Sequence, residues 1–101
     1  MKPPYVSHDD EQIEEFRRRP GLAVAYLNDA VRVAFEDDDP ELALTAMASV
    51  AKAYGIERVA RGAGLRRESL HRMLSRRGNP EWSSLFRVLK ALGVRLRFVS
   101  T

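Results

Sequence analysis

The segment Gly55–Met73 constrains the fold of this 101-residue chain most, because two short helical patterns meet there at a glycine-bearing turn. Ala60 is small enough for a close helix crossing, Val59 beside it would enter the core, and Gly64 can take the left-handed backbone conformation of a tight turn. The apolar residues that would anchor the second helix are Leu65, Leu70 and Met73. Together these features predict a helix-turn-helix.

A helix-turn-helix lays its second helix in the major groove of DNA. The side chains left facing outward on that helix are Arg66, Arg67, Glu68, His71 and Arg72. Because arginine pairs with the acceptors of guanine and glutamate accepts from cytosine, we predict that Arg67 and Glu68 read bases. Arg66 is a further candidate for base contact, and His71 and Arg72 are secondary candidates for contact with a base or with the DNA backbone. For His71, simple exposure at the surface is an equal alternative.

Phosphate contacts are expected from the flanks of this helix and from the loop that follows it. The candidates are Arg76, Arg77, Asn79 and Ser83. Arg66 stands where a serine or threonine usually caps the second helix, and its guanidinium cannot accept a hydrogen bond from the free amides. The start of this helix is therefore predicted to be weakly held before DNA binds.

The charged residues divide the chain into an acidic and a basic half, although the net charge is only +3. Residues 1–46 hold five Lys or Arg and eleven Asp or Glu, and residues 47–101 hold twelve and three, which gives −6 and +9. The arginine-rich half suits phosphate, because guanidinium offers a planar fork of donors. The acidic half suits a basic protein partner. Solvated surfaces without partners are the alternative for both.

The chain has no cysteine, which excludes disulfides, thiolate metal sites and cysteine nucleophiles. It has only two histidines and no glycine-rich phosphate loop, so we expect no enzymatic activity, no catalytic residue, no cofactor and no metal site. No apolar run approaches a membrane span, and acidic residues stand where a signal peptide needs its apolar core. We therefore expect a cytoplasmic protein without membrane contact.

Three further stretches repeat apolar residues at helical spacing, over residues 21–36, from 39 or 40 to 54, and over 82–92. Ser83 or Ser84 is expected to cap the last of these helices, and Gly93 to end it. Trp82 is predicted to anchor the core under the preceding loop, with base stacking as the alternative. Tyr26 and Tyr54 are predicted at the edge of the core.

The predicted fold is therefore all-α, a helix-turn-helix bundle of about five helices over residues 21–101, preceded by an N-terminal arm over residues 1–20. In the arm, Ile13 and Phe16 are expected to dock one helical turn, with arginines 17–19 outside. Residues 94–100 alternate apolar and basic side chains, which predicts a short C-terminal β-strand with Val94, Leu96 and Phe98 inward. A lone strand needs a partner from another chain or from the arm, which favours a homodimer.

A resemblance to a known family covers the chain from about residue 22 to residue 99. The stretches that carry it are Tyr26–Ala30, Ala43-Leu44, Val50–Gly55, Val59-Ala60, Gly64–Leu70, Gly78–Pro80 and Leu89–Val94. In their order and spacing they resemble the HigA-like addiction-module antidotes, bacterial antitoxins with a lambda-repressor-like DNA-binding domain. Arg66 stands where that family usually has a serine, and His71 where it often has a tyrosine.

The resemblance implies an antitoxin of a type II toxin-antitoxin system. Such a protein binds and neutralises a RelE/HigB-like toxin and represses the shared promoter at an inverted-repeat operator. It also implies that the helix starting at Arg66 reads DNA, and that Asn79 lies beside the DNA backbone. From charge alone, we expect the acidic N-terminal half to bind the toxin, since toxins that act on RNA are basic.

Two other readings of the residues stay open at this point. A free-standing repressor of prophage type would bind DNA equally well but would have no toxin partner. A bundle that only binds protein would not depend on its basic helix.

Overall fold

The computed structural model describes residues 8–75 and 77–101, and these residues form six α-helices. The helices are α1 (His8–Arg18), α2 (Pro20–Glu36), α3 (Pro40–Tyr54), α4 (Ile56–Ala63), α5 (Arg67–Met73) and α6 (Trp82–Ala91). The all-α prediction is confirmed, with one helix more than the five or so expected. None of the helices in the described ranges has the length and apolarity needed to traverse a bilayer.

Helices α2 and α3 begin and end close to the residues that the sequence indicated. Pro20 and Pro40 occupy first turns, where a missing backbone amide costs no helical hydrogen bond. Helix α2 ends at Glu36, before the run of aspartates, and α3 ends at Tyr54, before Gly55 with its φ of 98°. Short polar side chains and proline at these boundaries favour turns over continued helix.

Helix α3 connects the two parts of the bundle. It packs against α1, α2 and α4, and α4 in turn packs against α5 and α6. The buried residues of α3 are Leu44, Ala46, Met47, Val50, Ala51 and Ala53. Because half of these are alanine, neighbouring helices can approach α3 closely. A single hydrophobic core results, with members from every helix.

The N-terminal segment predicted as a loosely held arm contains a helix, α1, over residues 8–18. Phe16 is 2% exposed, and its ring centroid lies 4.9 Å from that of Tyr26. Arg17 is exposed, as predicted, and its Nε donates to the carbonyl oxygen of Ala53 over 2.7 Å, in the last turn of α3. Carbonyls in a last turn have no helical partner, so this hydrogen bond holds α1 on α3. The side chain of Ile13 lies outside the described residues.

The predicted C-terminal strand is not seen, because residues 94–100 form no strand within the described chain. Helix α6 closes through a hydrogen bond of 3.1 Å from the Val94 amide to the Leu89 carbonyl, after Gly93 at a φ of 77°. The expected pairing partner within the chain, the N-terminal segment, is helical over residues 8–18. A strand without a partner is not stable. Val94 packs against the core as predicted, whereas Leu96 and Phe98 are exposed.

Two expectations at the start of α6 are wrong. Glu81 precedes the first turn, and Ser83 and Ser84 both lie inside the helix. Trp82 is 61% exposed and does not anchor the core. The apolar stripe of α6 that faces the core is formed by Leu85, Val88, Leu89 and Leu92. Trp82 lies at the N-terminal end of this stripe, three residues before Leu85, because it is the first residue of the helix. The two tyrosines predicted at the edge of the core are partly buried, as expected.

Candidate nucleic-acid and partner interfaces

The turn between α4 and α5 folds as the sequence predicted. Val59 and Ala60 are both buried, and Gly64 follows α4 with φ 68° and ψ 32°, in the left-handed region. The Leu65 amide donates to the Ala60 carbonyl over 2.8 Å, which satisfies a carbonyl that the end of α4 would leave open. Any side chain at residue 64 would be strained at this φ. Glycine therefore fixes the direction in which α5 leaves α4.

One leucine holds α5 on the core more firmly than the others. Leu70 is fully buried, whereas Leu65 and Met73, the other predicted anchors, are partly buried against the core. Leu74, which follows α5 directly, is buried as well, although the sequence pattern did not single it out. With these residues beneath it, α5 presents its opposite face to solvent.

The exposed face of α5 is formed by the predicted base-reading residues. Arg66, Arg67, Glu68, His71 and Arg72 are all exposed. Four of these five side chains carry or can carry positive charge, and they lie within about two helical turns. The structure thus brings together every predicted base contact on one surface, which we call the α5 face.

Arg67 has a partner on the α5 face that the sequence did not indicate. Its Nη1 lies 3.3 Å from Oε1 of Glu57, in the first turn of α4, and both side chains are more than half exposed. An exposed ion pair of this kind contributes only about 0.2–1 kcal/mol. It therefore orients the guanidinium without preventing its release to another acceptor.

The N-terminus of α5 has no side-chain cap within the described chain, as the sequence predicted. Arg66 is the N-cap residue, with an extended backbone at φ −75° and ψ 150°, and within the described chain its side chain makes no capping hydrogen bond. Serine or threonine at such a position would accept a hydrogen bond from a free amide of the first turn.

The loop after α5 and the first turn of α6 carry the residues predicted to contact phosphate. Arg77, Asn79 and Ser83 are exposed, and Arg76 lies outside the described residues. Gly78 packs so tightly on the end of α5 that a β-carbon there would collide with the backbone carbonyl of Met73. The close approach of Gly78 therefore fixes the loop, and the polar residues on either side of it, against α5.

Arg87 is a further basic residue near the α5 face, and nothing in the sequence indicated its position there. A β-carbon built on Gly64 would lie 3.5 Å from Nη1 of Arg87, so this guanidinium sits beside the turn before α5. Its Nη2 donates to Oγ of Ser84 over 3.4 Å. The juxtaposition depends on the packing of α4 on α6, which a local sequence pattern does not encode.

A second candidate surface lies between α1 and α2, where an open groove has a volume of about 370 Å³. Its apolar lining consists of Phe16, Leu22, Ala25 and Tyr26, and its carboxylates are Glu11, Glu15 and Asp29. We call this surface the acidic groove. An apolar floor with carboxylates around it suits a basic segment that carries an apolar anchor.

The acidic groove and the α5 face belong to different parts of the bundle. Helices α1 and α2 pack on each other and on α3, and among the described residues neither makes extensive contact with α5 or α6. Residues 55–101 hold eleven Lys or Arg and three Asp or Glu, whereas residues 1–54 hold six and eleven. The charge separation seen along the sequence is thus also a separation in space.

These features define a small helical bundle with separate acidic and basic surfaces. The family of probable addiction module antidote proteins matches residues 12–100, and the chain belongs to this family. Membership in this family supports an antitoxin role, and in that role it agrees with the resemblance seen in the sequence.

Sequence comparison also relates the chain to an uncharacterized protein of Haemophilus influenzae strain Rd. The two are 36% identical over 72 residues, which cover 71% of this chain and 70% of that protein. No solved structure matches the chain.

Proposed function

We propose that the chain is the cytoplasmic, non-enzymatic antitoxin of a type II toxin-antitoxin module. It binds and neutralises a RelE/HigB-like toxin, and it represses its own operon by binding an inverted-repeat operator as a homodimer. The main support for DNA binding is the α5 face, because its arginines are exposed on a helix that the buried Leu70 fixes to the core. Family membership supports the antitoxin part.

In this proposal, α4 and α5 act as a helix-turn-helix of the lambda-repressor type, with α5 in the major groove. Arg67 exchanges the Glu57 carboxylate for the acceptors of a guanine, and Glu68 accepts from a cytosine. Arg77, Asn79 and Ser83 contact the sugar-phosphate backbone at the end of α5 and the start of α6. The glycine turn and Gly78 hold these two sets of contacts in register.

The DNA-binding part is tested by gel shifts on the DNA upstream of the chain's own gene. Arg67→Ala should weaken binding to this site by about 1–3 kcal/mol and relax base preference, because one specific base contact is lost. Arg19→Ala, which removes the same charge beside α2, is the matched control and should bind as the wild type does. Absence of wild-type binding at low salt, or equal loss in the two variants, would contradict the proposal.

The toxin-binding part assigns the acidic groove to the basic toxin. Glu15 and Asp29 at this groove form exposed ion pairs with Arg18 and Arg32, which are weak enough to be exchanged for the positive surface expected of a protein that acts on RNA. Such complementarity speeds association. The apolar floor, with Phe16 beneath it, supplies the area that a buried anchor from the toxin requires.

Binding to the product of the adjacent gene tests this assignment by titration calorimetry. Leu22 and Val24 are both exposed apolar residues of α2, but only Leu22 lines the groove. Leu22→Arg should weaken binding about tenfold or more, because it places a positive charge and a bulky side chain where the toxin's anchor docks. Val24→Arg, with the same change in charge, should bind as the wild type does. If Leu22→Arg leaves the affinity unchanged, the toxin binds elsewhere.

A further inference from the structure

Helix α6 and the residues after it carry an exposed aromatic surface that the proposed DNA and toxin contacts do not use. Trp82 and Phe86 are 61% and 54% exposed, and their rings form an edge contact with centroids 6.3 Å apart. Leu96 and the 93% exposed Phe98 line the same open groove, which has a volume of about 420 Å³. We call this surface the α6 face.

The area of the α6 face is in the range of protein–protein interfaces. An aromatic side chain has about 150–250 Å² of surface that it can bury. With the exposed fractions of Trp82, Phe86 and Phe98, the three side chains together expose roughly 400 Å². A standard interface buries about 800 Å² on each partner, so the rings alone supply about half of it. Leu96 and Val99, which are also exposed, extend the apolar area.

Positive charges around the α6 face disfavour binding of the basic toxin there. Lys90 and Arg95 line the groove together with the aromatic residues. A basic partner with no carboxylate or aromatic ring to face these cations would be repelled there, whereas the acidic groove between α1 and α2 attracts it. The occupant must instead supply aromatic surface and a carboxylate opposite Lys90.

A second copy of the chain supplies both of these groups. Trp82, Phe86 and Lys90 follow each other at intervals of four residues and so form one ridge on α6. In an antiparallel pair of such ridges, Phe86 meets its own counterpart while Trp82 of each copy meets Lys90 of the other. An ammonium over an indole ring is attracted by the ring's quadrupole. Glu81, next to Trp82, adds a carboxylate at the same end.

We propose that two copies of the chain associate through their α6 faces, with the two α6 helices antiparallel across a two-fold axis near Phe86. Such an interface is isologous, since each surface residue faces its symmetry-related complement. The role of this dimer rests on the proposed function, because an inverted-repeat operator requires two copies of α5. The interface itself forms without DNA or toxin and is measured without them.

Sedimentation equilibrium of the full chain over a range of concentrations tests the proposal. The wild type should be a dimer, and Phe86→Asp should raise the dimer dissociation constant at least about thirtyfold, because a central aromatic anchor is replaced by a charge. Phe35→Asp is the matched control, since Phe35 is an 83% exposed phenylalanine at the end of α2, and it should remain dimeric. A monomeric wild type, or equal effects of the two substitutions, would overturn the proposal.

Disulfide cross-linking tests the antiparallel register without depending on the Phe86→Asp variant. The chain has no cysteine, so Phe86→Cys and Phe35→Cys each introduce a single thiol. Mild oxidation should link Phe86→Cys into a covalent dimer, because the two-fold axis brings residue 86 of both copies together, and should leave Phe35→Cys largely unlinked. The reaction is run at a concentration at which sedimentation shows the reduced Phe86→Cys variant to be dimeric, and no cross-linking at residue 86 under that condition would overturn this register. Loss of DNA binding alone would leave both results unchanged.

Discussion

Arg67 is the residue on which the proposed DNA contact most depends, and in the free protein its guanidinium is already paired. Glu57 holds it from the first turn of α4, ten residues earlier in the chain. The pair crosses the turn between the two helices, so it restricts the arginine to the α5 face before DNA arrives. The same carboxylate also places a negative charge where phosphates approach, which weakens the field that attracts DNA.

Glu57→Gln should therefore tighten binding to the operator. Removing one negative charge and releasing Arg67 from an exposed pair, which contributes about 0.2–1 kcal/mol, predicts an affinity about two to five times higher. Fluorescence anisotropy titrations of labelled operator DNA measure this gain.

The control for this prediction is the same substitution in an Arg67→Ala background. There the gain should shrink, because only the general repulsion between Glu57 and phosphate remains to be removed. Weaker binding of Glu57→Gln would show that the pair positions Arg67 productively, which contradicts the proposed exchange.

At the scale of single elements, local signals were enough to predict α2 to α5. Pro20, Pro40 and Gly64 act on their own backbone, so their effect is readable without the rest of the chain. The exposure of the α5 face was likewise predictable, because its residues are charged or polar and the large apolar residues of this helix are Leu70 and Met73.

Contacts between distant residues explain what the sequence did not reveal. The spacing predicted that Phe16 docks on the body, and its burial confirms this, but the local pattern of residues 1–20 indicated neither its partner Tyr26 nor the hydrogen bond from Arg17 to the last turn of α3. The alternation after Gly93 is a true strand signal, but a strand also needs a neighbour. Trp82 was misplaced because large aromatic residues are usually buried, and here the ring lies beyond the stripe that contacts the core.

The uncapped start of α5 gives a prediction for that helix as a unit. Arg66→Ser should stabilise the protein by about 1 kcal/mol, because the serine hydroxyl can accept from an amide of the first turn. Thermal unfolding measures the gain, and hydrogen exchange should show slower exchange confined to the first turn of α5.

The control for this helix is Arg66→Ala, which removes the same charge but offers no acceptor. It should leave stability close to that of the wild type. Equal stabilisation by serine and alanine would show that relief of charge repulsion, and not capping, limits α5.

At the scale of the whole molecule, α3 separates two surfaces of opposite charge. The acidic groove belongs to α1 and α2, and the α5 face belongs to the helices beyond α4. Because these surfaces do not share residues, a basic toxin and DNA have no reason to compete for the same side chains. We therefore expect one dimer of the proposed antitoxin to hold both at once.

The most direct test is a molar mass measurement by light scattering on a mixture of the full chain, the product of the adjacent gene and the upstream DNA duplex. The proposal predicts a single eluting species that contains all three components. Leu22→Arg should lower only the toxin content of this species, and Arg67→Ala should lower only its DNA content. Separate toxin-bound and DNA-bound species, with no complex of all three, would contradict the claim that the two surfaces act independently.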